Sequence, residues 1–82
     1  MAWLALQTAV WILWEDSAGS DAIWDDQPEK LKPALINSVG ILVREDDQAV
    51  ILATSADDNT PPKYDGLLAI PRSAIRQRRR LE

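Results

Sequence analysis

The residues with the most chemical potential are five arginines gathered near one end of the chain: Arg72, Arg76, Arg78, Arg79 and Arg80. Side chains alternate along an extended strand, so Arg76, Arg78 and Arg80 would share one face, with Gln77 and Arg79 on the other. A strip of guanidinium groups can neutralise phosphates or grip carboxylates in forked pairs. The plainer reading is a charged edge strand that blocks edge-to-edge association, or a tail held against an acidic body. Charge is uneven: residues 1–71 hold twelve acids against four Lys or Arg, a net of −8, while 72–82 hold five Arg and one Glu, a net of +4.

The remaining chemistry is narrow. The chain has no cysteine and no histidine, so Ser–His–Asp and Cys–His nucleophiles cannot be built. Thiolate and imidazole metal sites are excluded for the same reason, as are disulfides. Glu15, Asp16, Asp21, Asp25, Asp26 and Glu29 do not follow the spacing of a calcium loop, and Asp57, Asp58 and Asn59 read as solvated loop as well. No glycine-rich phosphate loop, dinucleotide fingerprint or RNA-binding aromatic pair occurs. A polyproline groove would need clustered aromatics, and Tyr64 lacks the tyrosine-rich loop that would accompany it. The expectation is a protein that is not an enzyme and carries neither cofactor nor metal.

Four tryptophans stand in 82 residues, and phenylalanine is absent. Trp11 and Trp14 are three apart in a strand-like run, which puts them on opposite faces. Trp14 and Trp24 are expected in the core. Trp3, Trp11 and Leu13 are the candidate interface residues, since an indole outside the core commonly anchors a partner.

The elements that must position these groups follow from pattern. Strands are expected near 8–15, 35–45, 48–54, 66–70 and 75–80. Val10, Ile12 and Trp14 lie on one face of the first, and Ala9, Trp11 and Leu13 on the other. Gly40 within the second suggests a bend or bulge. The polar run 45–48 is short enough to make a hairpin of the second and third strands. Pro28 opens a helical turn over 28–32 that Pro33 closes. Residues 16–21 and 55–65 read as loops. Val39, Ile41, Val43, Leu52, Leu68, Ile70 and Ile75 form the expected aliphatic core. Residues 1–7 extend the first strand, form a short helix or lead into the domain as an extension. Leu81–Glu82 has the sequence a cloning scar leaves.

A chain of 82 residues is one domain. At that size only about 60% of the unfolded surface is buried. With disulfides and metal excluded, self-association is the natural source of further stability. The apolar run 1–14 is shorter than the ~20 residues of a membrane helix and lacks the basic start of a secretory signal. It is expected to fold into the core of a cytoplasmic protein without a membrane partner.

The run from Gly66 to Ile75, with Ile70–Pro71, a three-residue turn and an apolar residue opening the last strand, resembles the end of Src-homology-3-like (SH3-like) barrels. The resemblance implies a 3-10 turn between the last two strands of a small, mostly β, five-stranded barrel. A wider pattern runs through Trp14–Ser17, Trp24, Ser38–Glu45, Val50–Ala53 and Ile70–Ile75. It is similar to a group of small uncharacterised bacteriophage and prophage proteins, which implies a setting and no activity. The expected role is a protein-interaction or assembly module that binds itself or another protein. A nucleic-acid-binding barrel using the arginine strip is the alternative.

Overall fold

The computed structural model describes residues 8–17 and 27–81. Its strands are β1 (Ala9–Asp16), β2 (Ala34–Glu45), β3 (Ala49–Ala53), β4 (Ser55–Ala56), β5 (Tyr64–Asp65), β6 (Leu68–Pro71) and β7 (Ile75–Leu81), with 3-10 turns at Pro28–Lys30 and Arg72–Ala74. The described residues are therefore mostly β, with no helix beyond these two turns. Five strands form one antiparallel sheet in the order β6-β3-β2-β1-β7, and β4 and β5 make a small hairpin of their own.

The five expected strands coincide with β1, β2, β3, β6 and β7 to within two residues at each end. Leu81 pairs with Ala9, so it completes β7. The expected loop 55–65 contains the β4–β5 hairpin, which its short apolar content concealed. Trp3, Trp24 and the alternatives for residues 1–7 lie outside the described residues. β6 and β7 are the two edges of the sheet, and no hydrogen-bonded ladder joins them among the described residues. The sheet is thus open rather than closed into a barrel.

Its core shows how strongly it curls. Val10, Ile12 and Trp14 of β1 meet Val50 and Leu52 of β3 and Ile70 of β6 in one buried cluster. β2 separates β1 from β3 in the sheet, so these side chains meet only if the sheet folds over its own face. Ile36, Leu42, Ala74 and Ile75 pack around them.

The curl is built into β2. Val10, Ile12 and Trp14 stand opposite Gly40, Ser38 and Ile36, so the even-numbered residues of β2 face inward. This corrects the expected core: Val39 is 62% exposed, and Ile41 and Val43 are half-buried. Apolar residues on both faces of β2 left the pattern ambiguous. Two small residues decide it. A Cβ on Gly40 would sit 2.9 Å from the Ala53 carbonyl oxygen and 3.1 Å from Leu52 Cβ, so the chains approach closely there. Ser38 Oγ accepts the Trp14 indole N–H at 3.0 Å, satisfying a polar group at the core margin. Val43 is then the extra residue of a bulge, because Leu42 pairs with Leu52 but Arg44 pairs with Ile51. A bulge bends its strand and increases local twist.

Leu52 and Ile70 are buried as expected, Ile75 packs at the rim, and Val50 joins the core although the expected set omitted it. Leu68, expected inside, is 38% exposed in the short edge strand. Ile70 is fully buried. Replacing it by Ala should cost about 2–5 kcal/mol, read as a lower urea midpoint with an unchanged slope. A cost below ~0.5 kcal/mol would mean that this register is incorrect.

Candidate functional site

Alternation on β1 puts Ala9, Trp11, Leu13 and Glu15 on the outer face of the sheet. Across that face Leu81, Ala9 and Ile41 form one row, and Arg79, Trp11 and Val39 the next. Gln77, Leu13 and Asn37 follow, then Glu15 beside Leu35. Leu35 and Val39 are exposed at 59% and 62%, and Trp11 and Leu13 are half-buried. Trp11 is held from both sides. Its indole N–H donates to Asn37 Oδ1 at 2.9 Å, and the Arg79 guanidinium carbon lies 5.8 Å from its ring centroid. That contact is a cation–π pair. The result is a tryptophan with a fixed orientation in an apolar field, where freezing it on binding costs little further entropy.

The arginines are divided between the two faces of the sheet. Arg78 and Arg80 stand opposite Ile12 and Val10, at the rim of the buried face, while Arg79 stands on the outer face. Arg76 does not complete the expected strip. It is the extra residue of a second bulge, where Leu13 pairs with Gln77 and Trp14 with Ile75. Its guanidinium instead meets Glu15 Oε2 at 3.0 Å and donates to the Ser73 carbonyl at 3.0 Å. Arg78 reaches Glu45 Oε2 at 2.9 Å. Arg72, in the turn after β6, lies 3.9 Å from Glu45 Oε1 and donates to the Asp46 carbonyl at 3.3 Å. Glu45 therefore ties the last turn and the edge strand β7 to the end of β2. These pairs are solvent-exposed, and each is worth about 0–1 kcal/mol. Arg80 has no ion-pair partner among the described residues.

Glu45 is presented by a well-made turn. Asp46 Oδ1 accepts the backbone N–H groups of Ala49 at 2.9 Å and Gln48 at 2.8 Å, an arrangement typical of aspartate in turns. Those two donors hold its pKa below the ordinary carboxylate range. The β4–β5 hairpin repeats the device. Asp57 accepts from the Lys63 N–H at 2.9 Å and from the Asn59 N–H and side-chain amide, and its pKa is likewise lowered, chiefly by the Lys63 bond.

No family model, curated protein or solved structure matches the chain. The site must therefore be read from its own geometry. An open cleft of about 320 Å³ lies along the β4–β5 hairpin, lined by Ser55, Ala56, Asp57, Lys63, Tyr64 and Asp65. Asp57, the carboxylate best placed to act there, is already engaged with its own turn. Among the described residues no three metal-ligating side chains converge, and no helix is long and apolar enough to cross a membrane. What the described surface offers is Leu35 and Val39 exposed beside a Trp11 that is held by Asn37 and Arg79.

Of the expected interface residues, Trp11 and Leu13 come together on the outer face, while Trp3 lies outside the described residues. Val39 and Leu35 were missed as surface residues, and Glu15 and Glu45 as arginine partners. The small residues Ser38 and Gly40 were the available signal for the first pair. Of the second pair, Glu15 meets Arg76 across the β1–β7 pairing and Glu45 meets Arg78 through the curl, and no local pattern encodes either.

Asp46 and Asp57 have lowered folded-state values, so their contribution is complete above the unfolded value near ~3.9. It is lost as pH falls through the lower folded values. The stability gap between the wild type and an Asp46→Asn/Asp57→Asn variant should therefore be widest above the unfolded value and narrow as pH falls below it. Thermal midpoints on both sides of that value measure it. A gap independent of pH would contradict the assignment.

Proposed function

We propose that this chain is a small non-enzymatic interaction module that pairs with a second copy of itself through the outer face of β7, β1 and β2. The observation that carries the reading is the exposure of Leu35 and Val39 beside the braced Trp11. Apolar patches of this kind commonly mark interfaces. The same face carries Arg79 at one end and the Arg76–Glu15 ion pair toward the other. A two-fold axis near the Leu13 row would set the Trp11 and Val39 row of one copy against the Leu35 row of the other as an isologous contact. A single thin core in 82 residues without disulfides adds the thermodynamic motive.

The finer fold reading is an SH3-like barrel. Strand order β6-β3-β2-β1-β7 supports it, as does the 3-10 turn Arg72–Ala74 between the two edge strands. So does the meeting of β1, β3 and β6 in one core. A bacteriophage or prophage setting is the part of the reading that rests only on the run from Trp14 to Ile75. A cytoplasmic location rests on the absence of cysteine.

Nucleic-acid binding by the arginine strip is the second reading, favoured by Arg80, which lacks an ion-pair partner among the described residues. Three of the five arginines meet carboxylates already, which weighs against it. Glu45→Gln removes the carboxylate shared by Arg72 and Arg78. If the strip binds nucleic acid, this variant should bind a short duplex more tightly, with a steeper loss of affinity on adding salt. No change in either quantity removes the second reading.

The principal test is Trp11→Glu, with Val39→Glu as its partner variant. Sedimentation velocity of the full chain should show a dimer that either change converts to monomer, with the circular dichroism of the sheet retained. A wild type that stays monomeric at millimolar concentration overturns the proposal.

A further inference from the structure

The two edges of the sheet are unequal. β6 has four residues and ends in Pro71, which has no N–H to donate. β7 has seven residues and no proline, and among the described residues no strand pairs its flank away from β1. An unpaired strand of that length is a template for another strand.

The side chains select what can pair there. In a two-fold pairing of β7 with another β7, Arg78, Arg79 and Arg80 of one copy would be set against arginines of the other. Like charges placed opposite each other in a ladder are destabilising. The same residues favour a strand of opposite charge. Arg76 and Arg78 are occupied by Glu15 and Glu45. Arg79 and Arg80 have no carboxylate partner among the described residues, and Arg79 rests on Trp11. They are consecutive and point to opposite faces of the sheet, so a strand laid beside β7 would place two consecutive residues against them.

We infer that β7 is a docking edge for an extended acidic peptide, one whose two adjacent carboxylates face Arg79 and Arg80. Backbone hydrogen bonds along the edge give the peptide its affinity, and the paired acids set its register and direction, as in other strand-addition recognition. Leu81 on the outer face favours an apolar residue two positions from the acid that meets Arg79. The peptide pairs along the flank of β7 away from β1, whereas two copies would meet over the sheet face; Arg79 and Leu81 lie at the boundary and are shared by both contacts.

The test uses the full chain, labelled with nitrogen-15, and two capped eight-residue peptides of alternating valine and threonine. One carries two consecutive glutamates at its centre and the other two lysines. The glutamate peptide should bind at least tenfold more tightly, with amide shifts and exchange protection concentrated in 75–81. Arg79→Glu/Arg80→Glu changes only exposed side chains, and it should reverse the preference. Equal binding of both peptides, no binding of either, or protection elsewhere on the sheet would overturn the inference. In those cases the arginines serve only to keep the edge from associating.

Discussion

A single sheet with no covering layer can shield its apolar face from water only by bending that face onto itself. Everything else in this molecule depends on that bend. Val10, Ile12 and Trp14 in β1 have no opposing helix or second sheet among the described residues, and their burial comes from β3 and β6 arriving over them. The bend needs a long central strand that belongs to both halves. β2 is that strand: its first part pairs with β1 and its last part with β3. Gly40 allows the close approach and the Val43 bulge turns the direction. The small inward residues of β2 are the condition for the fold rather than weak points in it.

The bend also explains why the electrostatics look as they do. Glu45 and Arg78 lie on strands separated by β1, yet they meet at 2.9 Å because the end of β2 curves back toward β7. Arg72 reaches the same carboxylate from the turn following β6. One acid thus bridges the regions at both edges of the sheet, where no backbone ladder does so among the described residues. On the opposite surface Leu35 and Val39 stay exposed among the described residues. Trp11 occupies that surface, braced by Asn37 and Arg79, and the two sides of β1 thereby hold one tryptophan each for different ends.

Strand positions were legible in the sequence because turn residues punctuate it: Asp46–Asp47–Gln48 ends β2, and Pro71 ends β6. On β1 alternation separated Val10, Ile12 and Trp14 from Ala9, Trp11 and Leu13, although both sets are apolar. The faces of β2 were not legible. Ile36 and Leu42 compete there with Val39 and Ile41, and apolar period alone cannot rank two apolar faces. Reading Ser38 and Gly40 as inward residues required knowing that Trp14 needed an acceptor and that β3 passed close by. The arginine cluster was visible as composition, but the Arg76 bulge reset its alternation, and the carboxylates that meet it are distant in sequence, Glu45 lying 33 residues from Arg78 and Glu15 61 residues from Arg76. Long-range pairs of that kind are set by topology.

The β4–β5 hairpin has a bearing on how such a chain can change over time. Its base is sealed where the Thr54 N–H is shared between the carbonyls of Asp65 and Gly66 at 3.1 and 3.3 Å. Gly66, at φ +67°, turns the chain back toward β6. The residues from Ser55 to Tyr64 lie beyond that seal and contribute none of the buried cluster. The join between β3 and β6 is therefore indifferent to what the excursion contains. Residues can be gained, lost or exchanged there while the register on either side is kept, so a new specificity can be grafted at this point without renegotiating the rest of the architecture.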